Sequence, residues 1–320
     1  MRLVVAVGGN ALLRRGERPD AAVQEAHVRA AAAALAPLCH EHEVLLCHGN
    51  GPQVGLLALE SEGDTSLSGP YPLDALVAQT QGMIGYWFVQ ALANAGVVKP
   101  VVALVTQTLV DPGDPGFSRP TKFIGAGHPE ALAREAAADA GFDIAQDGDV
   151  WRRVVASPEP QGIIEIDTIS GLLTGGAVTI CAGGGGAPVV RGTDGQVRGV
   201  EAVVDKDYVA AFLALAVNAD RLLLLTDVAA VQRDYGTPTA EPIDRLDVSE
   251  VAALRLPAGS MGPKVEACRR FVQATGRPAS IGALTDAGAV LSGAAGTRIE
   301  RGLLPPDADH QGHRSVARVH

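Results

Sequence analysis

Only four lysines stand among the 26 basic residues of the 320-residue chain, at Lys99, Lys122, Lys206 and Lys264. Three of them sit in polar, glycine- or acid-rich settings: PTKFIG, VDKDY and GSMGPK. An ammonium is a compact point charge on a flexible stem, suited to following a phosphoryl group as it moves. Chance placement on a solvated face accounts for so small a sample as well. Lys99, before a proline and next to an apolar run, reads as a surface residue. In VVDKD, Asp205 and Asp207 flank Lys206. Carboxylates there aim the lysine or help hold a magnesium ion through water; alternatively they form a surface ion pair at a helix start, where Asp207 is favourable in any case. LLLLTDV ends an apolar run on Thr226 and Asp227, the carboxylate facing a ligand or capping a turn.

Three glycine loops point to anion handling. In VGGNALL (7–13), Gly8 and Gly9 let backbone N–H groups approach an anion closely and Asn10 adds a side-chain donor. A plain tight turn explains this loop equally. In HGNGPQVG (48–55), Gly49 and Gly51 flank Asn50, and Pro52 suits the first position of a helix. A helix N-terminus behind a glycine loop binds a small anion well. His48 at this strand end reads as structural rather than as a catalytic base. In AGGGGAPV (182–189), four consecutive glycines, Gly183 and Gly184 among them, carry an entropic cost that points to close approach of something bulky, such as a nucleotide. The P-loop pattern G-x-x-x-x-G-K-[ST] and the dinucleotide pattern G-x-G-x-x-G are both absent, so nucleotide chemistry here uses another layout.

These loops follow short apolar runs that read as buried strands: 3–7, 44–47, 101–105, 178–181, 222–225 and 280–284. Between them lie helical patterns at 20–36 (with Asp20 as cap), 74–95 (ended by Gly96), 207–217 and 264–275. The alternation implies a mainly parallel sheet covered on both faces, with ligands at the carboxyl ends of strands. The pattern breaks at DPGDPGFSRP (111–120), a loop with three prolines and two glycines. A helix at 128–141 and small strands at 151–155 and 163–166 follow. Residues 112–165 therefore read as an insertion that rests on the main sheet rather than joining it. The polar stretch 301–320 reads as a tail without order.

The apolar fraction of 47% permits a full core, and aromatics at 4% and charged residues at 19% fit a compact α/β enzyme. A net charge of −10 without a basic stripe excludes a nucleic-acid binder. Four cysteines with no C-x-x-C pair read as reduced thiols of a cytoplasmic protein. The first apolar run is too short for a signal peptide or a membrane span.

Together the segments VGGNALL, HGNGPQVG, LDALVAQTQGMIGY, TQTLVD, PTK, WRRVV, AGGGGAPVV, GVEAVVDKD, LLLLTDVAAV and GSMGPKVEA resemble the carbamate kinases of the amino acid kinase superfamily, in the family's order across 4 to about 300. The resemblance implies a three-layer α/β/α sandwich around a mainly parallel eight-stranded sheet, a protruding lid at about 112–165, and a homodimer. It implies reversible phosphoryl transfer between ATP and carbamate, giving ADP and carbamoyl phosphate, with Mg2+ carried mainly by the nucleotide phosphates and a role in arginine breakdown. Under it, Lys206 and Lys264 contact the phosphates and the transferring group, Lys122 reaches in from the lid, and Asp207 orients the lysines. Gly8, Gly9, Asn10, Gly49, Asn50 and Gly51 hold the transferred group and carbamate. Gly183, Gly184, Asp205, Asp227, Tyr235 and Met261 lie on the nucleotide, and no side chain is dedicated to a metal. The lid departs from the family's habit: TKFIGAG replaces the usual TKPIGP, and GDV replaces a glycine–arginine stretch before Trp151. A nucleotide-binding regulatory protein of the same fold without catalysis is the alternative. An acetylglutamate or uridylate kinase is disfavoured by HGNGPQVG, and an NAD-dependent enzyme lacks its fingerprint.

Overall fold

The computed structural model describes residues 1–14, 16–254, 256 and 261–302. Eight strands form the main sheet: β1 (Arg2–Val7), β2 (Glu43–His48), β3 (Val101–Ala103), β4 (Val178–Ile180), β5 (Arg221–Thr226), β6 (Arg245–Asp247), β7 (Ala279–Ala283) and β8 (Thr297–Glu300). Their order is β6-β8-β7-β5-β1-β2-β4-β3. All neighbours are parallel except β7 and β8, so the sheet is mainly parallel and β6 and β8 run against the rest.

Eight helices are present among the described residues: α1 (Ala21–Glu41), α2 (Gly51–Gly63), α3 (Leu73–Asn94), α4 (Glu130–Ala140), α5 (Ile166–Thr174), α6 (Lys206–Ala216), α7 (Met261–Thr275) and α8 (Ala287–Ser292). The continuous apolar run of β1 is explained by burial on both faces. Leu3, Val5 and Val7 join a core built with α1, α3 and α8. Val4 and Ala6 join the opposite core with α5, α6 and α7. A strand points successive side chains to opposite faces, so a central strand covered twice has no polar position to spare. This is the expected three-layer architecture.

Several boundaries differ from the sequence expectations. α1 runs past residue 36 with Pro37 inside it. Proline removes one helical N–H, but Pro37 and Ala33 both lie on the solvent side, where water satisfies the released carbonyl. β3 stops at Ala103, and Val105 is exposed. Ile166, expected at the end of a strand, opens α5, and the strand before it is Pro160–Ile163. The short strands β6 and β8 were not expected.

Three smaller sheets accompany the main one among the described residues, the smallest a two-stranded pairing of 232–233 with 241–242. Residues 197–199, 187–191, 107–110 and 160–163 form a four-stranded sheet beside the main one. Residues 122–128, 150–155 and 143–147 form an antiparallel three-stranded sheet, with α4 against it. This three-stranded sheet protrudes over α2 and meets it backbone to backbone: a Cβ on Gly55 would overlap Gly125. The stretch from 303 onward, expected to lack order, lies outside the described residues.

Candidate active site

The carboxyl ends of β1, β2 and β5, the amino ends of α2, α6 and α7, and the protruding sheet enclose one cleft of about 470 Å³. α6 is the centre of its electrostatics. Asp205 caps this helix: its Oδ1 accepts from the Asp207 N–H at 2.8 Å, and its Oδ2 accepts from Lys122 Nζ at 2.5 Å. Asp207, in the first turn, accepts from Lys206 Nζ at 2.8 Å and from Lys264 Nζ, on α7, at 3.2 Å. Asp207 and Lys206 are buried. Burial opposes ionisation of Asp207, yet the two ammonium groups outweigh it and hold the carboxyl well below the usual carboxylate range. Burial likewise opposes ionisation of Asp205, and Lys122 reverses the balance. Burial lowers the Lys206 pKa against the pull of Asp207, whereas at Lys264 the aspartates prevail over burial and raise it. A buried aspartate thus aims two lysines, and a capping aspartate receives a third from the protruding sheet.

The two glycine loops lie side by side. Gly8, Gly9, Gly49, Asn50 and Gly51 all line the cleft. A Cβ on Gly49 would come 2.6 Å from Gly9 N, so residue 49 must lack a side chain for the loops to touch. Asn50 occupies the cap position of α2 without capping it. Its amide instead donates to Thr80 Oγ1 at 2.8 Å, and Thr80 donates to Val77 O at 2.7 Å. The first turn of α2 therefore presents backbone N–H groups to the cleft, with Pro52 contributing none. The Asn10 backbone belongs to the turn after β1, but its side chain lies outside what the structure describes.

The four-glycine run has a different cause from the one expected. A Cβ on Gly183 would overlap the His48 ring, one on Gly184 the Asn50 amide, one on Gly185 Val204 O, and one on Gly186 Thr108 Oγ1. What approaches closely is the protein itself. Gly184 still lines the cleft, while Gly183 lies beneath it against His48 and Gln81. The shelf is tied down from below: Thr106 Oγ1 accepts from Ala182 N at 2.7 Å and donates to Gln81 Oε1 at 2.9 Å, and Thr108 Oγ1 donates to Gly185 O at 2.6 Å. This explains two motifs singled out in the sequence, AQTQGMIGY and TQTLVD. His48 is buried, bonded to Gly49 O at 3.0 Å and stacked on Phe88 at 6.1 Å. Burial pushes its pKa down to about 4, although the bond to Gly49 pulls the other way, so it is neutral and structural.

Asp227, Tyr235 and Met261 line the far end of the cleft with Val228 and Pro263. Asp227 accepts from Thr226 Oγ1 at 2.9 Å. Lys99 stands apart and donates to His42 O at 2.8 Å. Sequence reasoning missed Arg152, Asp147 and Phe123, which the protruding sheet adds to the wall. Arg152 donates to Asp147 Oδ2 at 3.0 Å and to Gly125 O at 2.8 Å, and lies over the Phe123 ring at 5.6 Å. Among the described residues the lining holds four cationic side chains (Lys122, Arg152, Lys206, Lys264) and four carboxylates (Asp147, Asp205, Asp207, Asp227). The lysines are therefore charge-balanced in advance, and a polyphosphate would bring its own excess negative charge. No group of three or more His, Cys, Asp or Glu with metal-holding geometry occurs among the described residues.

Preorganised cations and backbone amides at strand ends, with the histidine beneath them neutral, are the parts of a phosphotransferase site of the amino acid kinase type. The amino acid kinase family model matches residues 1–283. The carbamate kinase of Rhizobium meliloti (strain 1021) is 48% identical over 95% of this chain and 93% of its own. Carbamate kinase from Giardia lamblia, solved with citric acid, superposes with a TM-score of 0.89 at 38% identity over 94% of this chain and 98% of that one. The same protein solved with AMP-PNP gives 0.83, with the same identity and coverage. The chain belongs to the carbamate kinases of the amino acid kinase family.

Proposed function

We propose that the protein transfers a phosphoryl group reversibly between ATP and carbamate, and that it runs toward ATP as the last step of arginine breakdown. It does so as a cytoplasmic homodimer. The observation that carries the reading is the convergence of Lys122, Lys206 and Lys264 on Asp205 and Asp207 beside two glycine loops. The acceptor assignment rests on the HGNGPQVG loop and on the carbamate kinase relatives, one of which was solved with the nucleotide analogue AMP-PNP.

In the ATP-forming direction a β-phosphate oxygen of ADP attacks the phosphorus of carbamoyl phosphate. The P–O bond to carbamate breaks, and its electron pair leaves on the carbamate oxygen. Carbamate departs as an anion, so no proton need move and no side chain need act as a base. Catalysis is positioning and charge cancellation. Lys206 and Lys264, each held on Asp207, offset charge on the group in flight. Lys122 exchanges Asp205 for a phosphoryl oxygen. The amides of Gly9 and the α2 amino end receive the remaining oxygens, while the Gly8 N–H holds the loop to Leu225 O at 2.8 Å. Asp227, Tyr235 and Met261 flank the nucleoside. Mg2+ fits this site as a passenger on the phosphates, because the aspartates already balance the lysines; Asp205 and Asp207 would hold it through water. It would supply further neutralisation of phosphate charge.

The test is ATP formation from ADP, Mg2+ and carbamoyl phosphate. Lys206→Ala should lower kcat by about a thousandfold and Lys122→Ala by about a hundredfold, the range for removing one preorganised donor. A folded, ADP-binding protein that makes no ATP would overturn the reading in favour of a regulatory nucleotide binder.

A further inference from the structure

A second cavity of about 490 Å³ lies between residues 13, 14, 16, 17 and 19, α2 and the strands 122–128 and 150–155. It shares three wall residues with the main cleft: Pro52, Asp147 and Arg152. The two cavities therefore meet at the amino end of α2. From this geometry we infer that the second cavity is the acceptor's own port, through which carbamoyl phosphate or carbamate reaches the reaction centre while the nucleotide occupies the first.

The strand order sets the direction. β5, β1 and β2 are consecutive in the sheet. Their carboxyl ends carry, in that order, Thr226 and Asp227, then Gly8 and Gly9, then Gly49 to Gly51, and the row ends at Pro52 on α2. In-line transfer places the attacking and leaving oxygens on opposite sides of the phosphorus. With the nucleoside at the Asp227 end and the phosphoryl group over the glycine loops, the carbamate oxygen must lie toward Pro52. That is where the second cavity opens. A bound nucleotide fills the approach from its own side, so a separate path lets the small partner exchange without release of the large one.

A guanidinium stands where the two cavities meet. Arg152 is the cationic side chain among the described residues that lines both cavities, and Asp147 and the Gly125 carbonyl fix its guanidinium at the junction. A planar guanidinium matches a carboxylate or phosphate edge where an ammonium supplies only a point charge. Farther out the wall mixes Leu13, Leu56 and Leu59 with Arg14, Glu17 and Asp149, and Leu59 is 48% exposed at the rim.

The inference rests on the proposed carbamoyl phosphate chemistry, and one experiment separates the two. All four native cysteines are buried, so Leu59→Cys supplies an accessible thiol at the rim. This variant is assayed for ATP formation unlabelled, with a methylthio adduct, and with a fluorescein maleimide adduct. Tyr71→Cys, exposed and outside both cavities, carries the same labels as control. The bulky adduct at residue 59 should lower kcat/KM for carbamoyl phosphate by about tenfold or more while KM for ADP stays within about twofold; the methylthio adduct and the control should do neither. Arg152→Lys should likewise lower kcat/KM for carbamoyl phosphate and spare KM for ADP. An unchanged kcat/KM with the bulky adduct, or a parallel loss for both substrates, overturns the port while leaving the transfer chemistry standing. No ATP from the unmodified protein overturns the acceptor assignment, and the port with it.

Discussion

The two walls of the cleft differ in how firmly the fold holds their charges. On the main-sheet side, the Asp207, Lys206 and Lys264 side chains keep 5%, 10% and 12% of their exposure, locked at the starts of two packed helices. On the protruding side Lys122 keeps 28% and hangs from a thin antiparallel sheet whose residues are mostly half-buried or exposed. That sheet is attached by Lys122 to Asp205, by Arg153 to Glu62 at 2.5 Å, by the backbone approach of Gly55 to Gly125, and by Ile124 and Val155, which join a small apolar cluster with α2 and α3. Phosphoryl transfer needs a fixed reference for the reacting phosphorus and a way to admit and then enclose substrates. The first wall provides the reference, and the second is built lightly enough to yield.

Removing charge from each wall should therefore have unequal effects on stability. Asp207→Asn leaves two buried ammonium groups without their shared partner and should cost about 3–5 kcal/mol, the usual penalty for breaking a buried pair. Lys122→Ala removes a half-buried pair, leaves Asp205 still capping α6, and should cost less, about 1–2 kcal/mol, although both variants lose activity. Urea unfolding of the two side by side measures this, and equal losses would erase the distinction between the walls.

A smaller effect tests the rigidity of the first wall. His48 sits beneath the glycine shelf with its pKa held by burial at about 4 rather than the ordinary 6.5. Between those values the unfolded chain binds a proton that the folded chain refuses, so stability rises with pH across this window and falls on acidification. The loss from pH 6.5 to pH 4 should reach about 3 kcal/mol. Unfolding curves across this range should be steeper for the unmodified protein than for His48→Gln. Parallel curves would mean that the shelf admits water and a charged imidazole.

Much of the first wall was legible because its chemistry is tied to residue type. Lysines are scarce in this chain, and glycines end apolar strands, so Lys206, Lys264 and the loops at 8–9 and 49–51 announced themselves. The glycine run at 183–186 was visible but its own close packing was not, since its neighbours His48, Asn50, Val204 and Thr108 come from three other segments. The second wall was harder to read. Trp151, Arg152 and Arg153 are consecutive on a strand, so adjacent side chains face opposite ways. Arg152 turns to the cleft, while Arg153 turns to Glu62 and the Phe142 ring. Nothing in the local sequence says which face the cleft lies on. The short strands β6 and β8 were missed because each is completed by pairing with distant residues rather than by a periodic run.

The smallest predicted effect bears on how the second wall is set. Gly55 lies on α2, and a Cβ there would meet the Gly125 backbone, three residues along the strand from Lys122. Alanine favours the helix by about 1 kcal/mol over glycine, so Gly55→Ala should leave the fold intact while wedging the protruding sheet away from α2. Lys122 would then reach the cleft from farther out, and kcat should fall by about tenfold, in line with the cost of a misplacement of about an ångström. The loss should vanish when Lys122 is already alanine, because the displaced ammonium is then absent. Additive losses in the double variant would instead mean that the contact at Gly55 supports catalysis through the α2 amino end, and the two walls would not be separable.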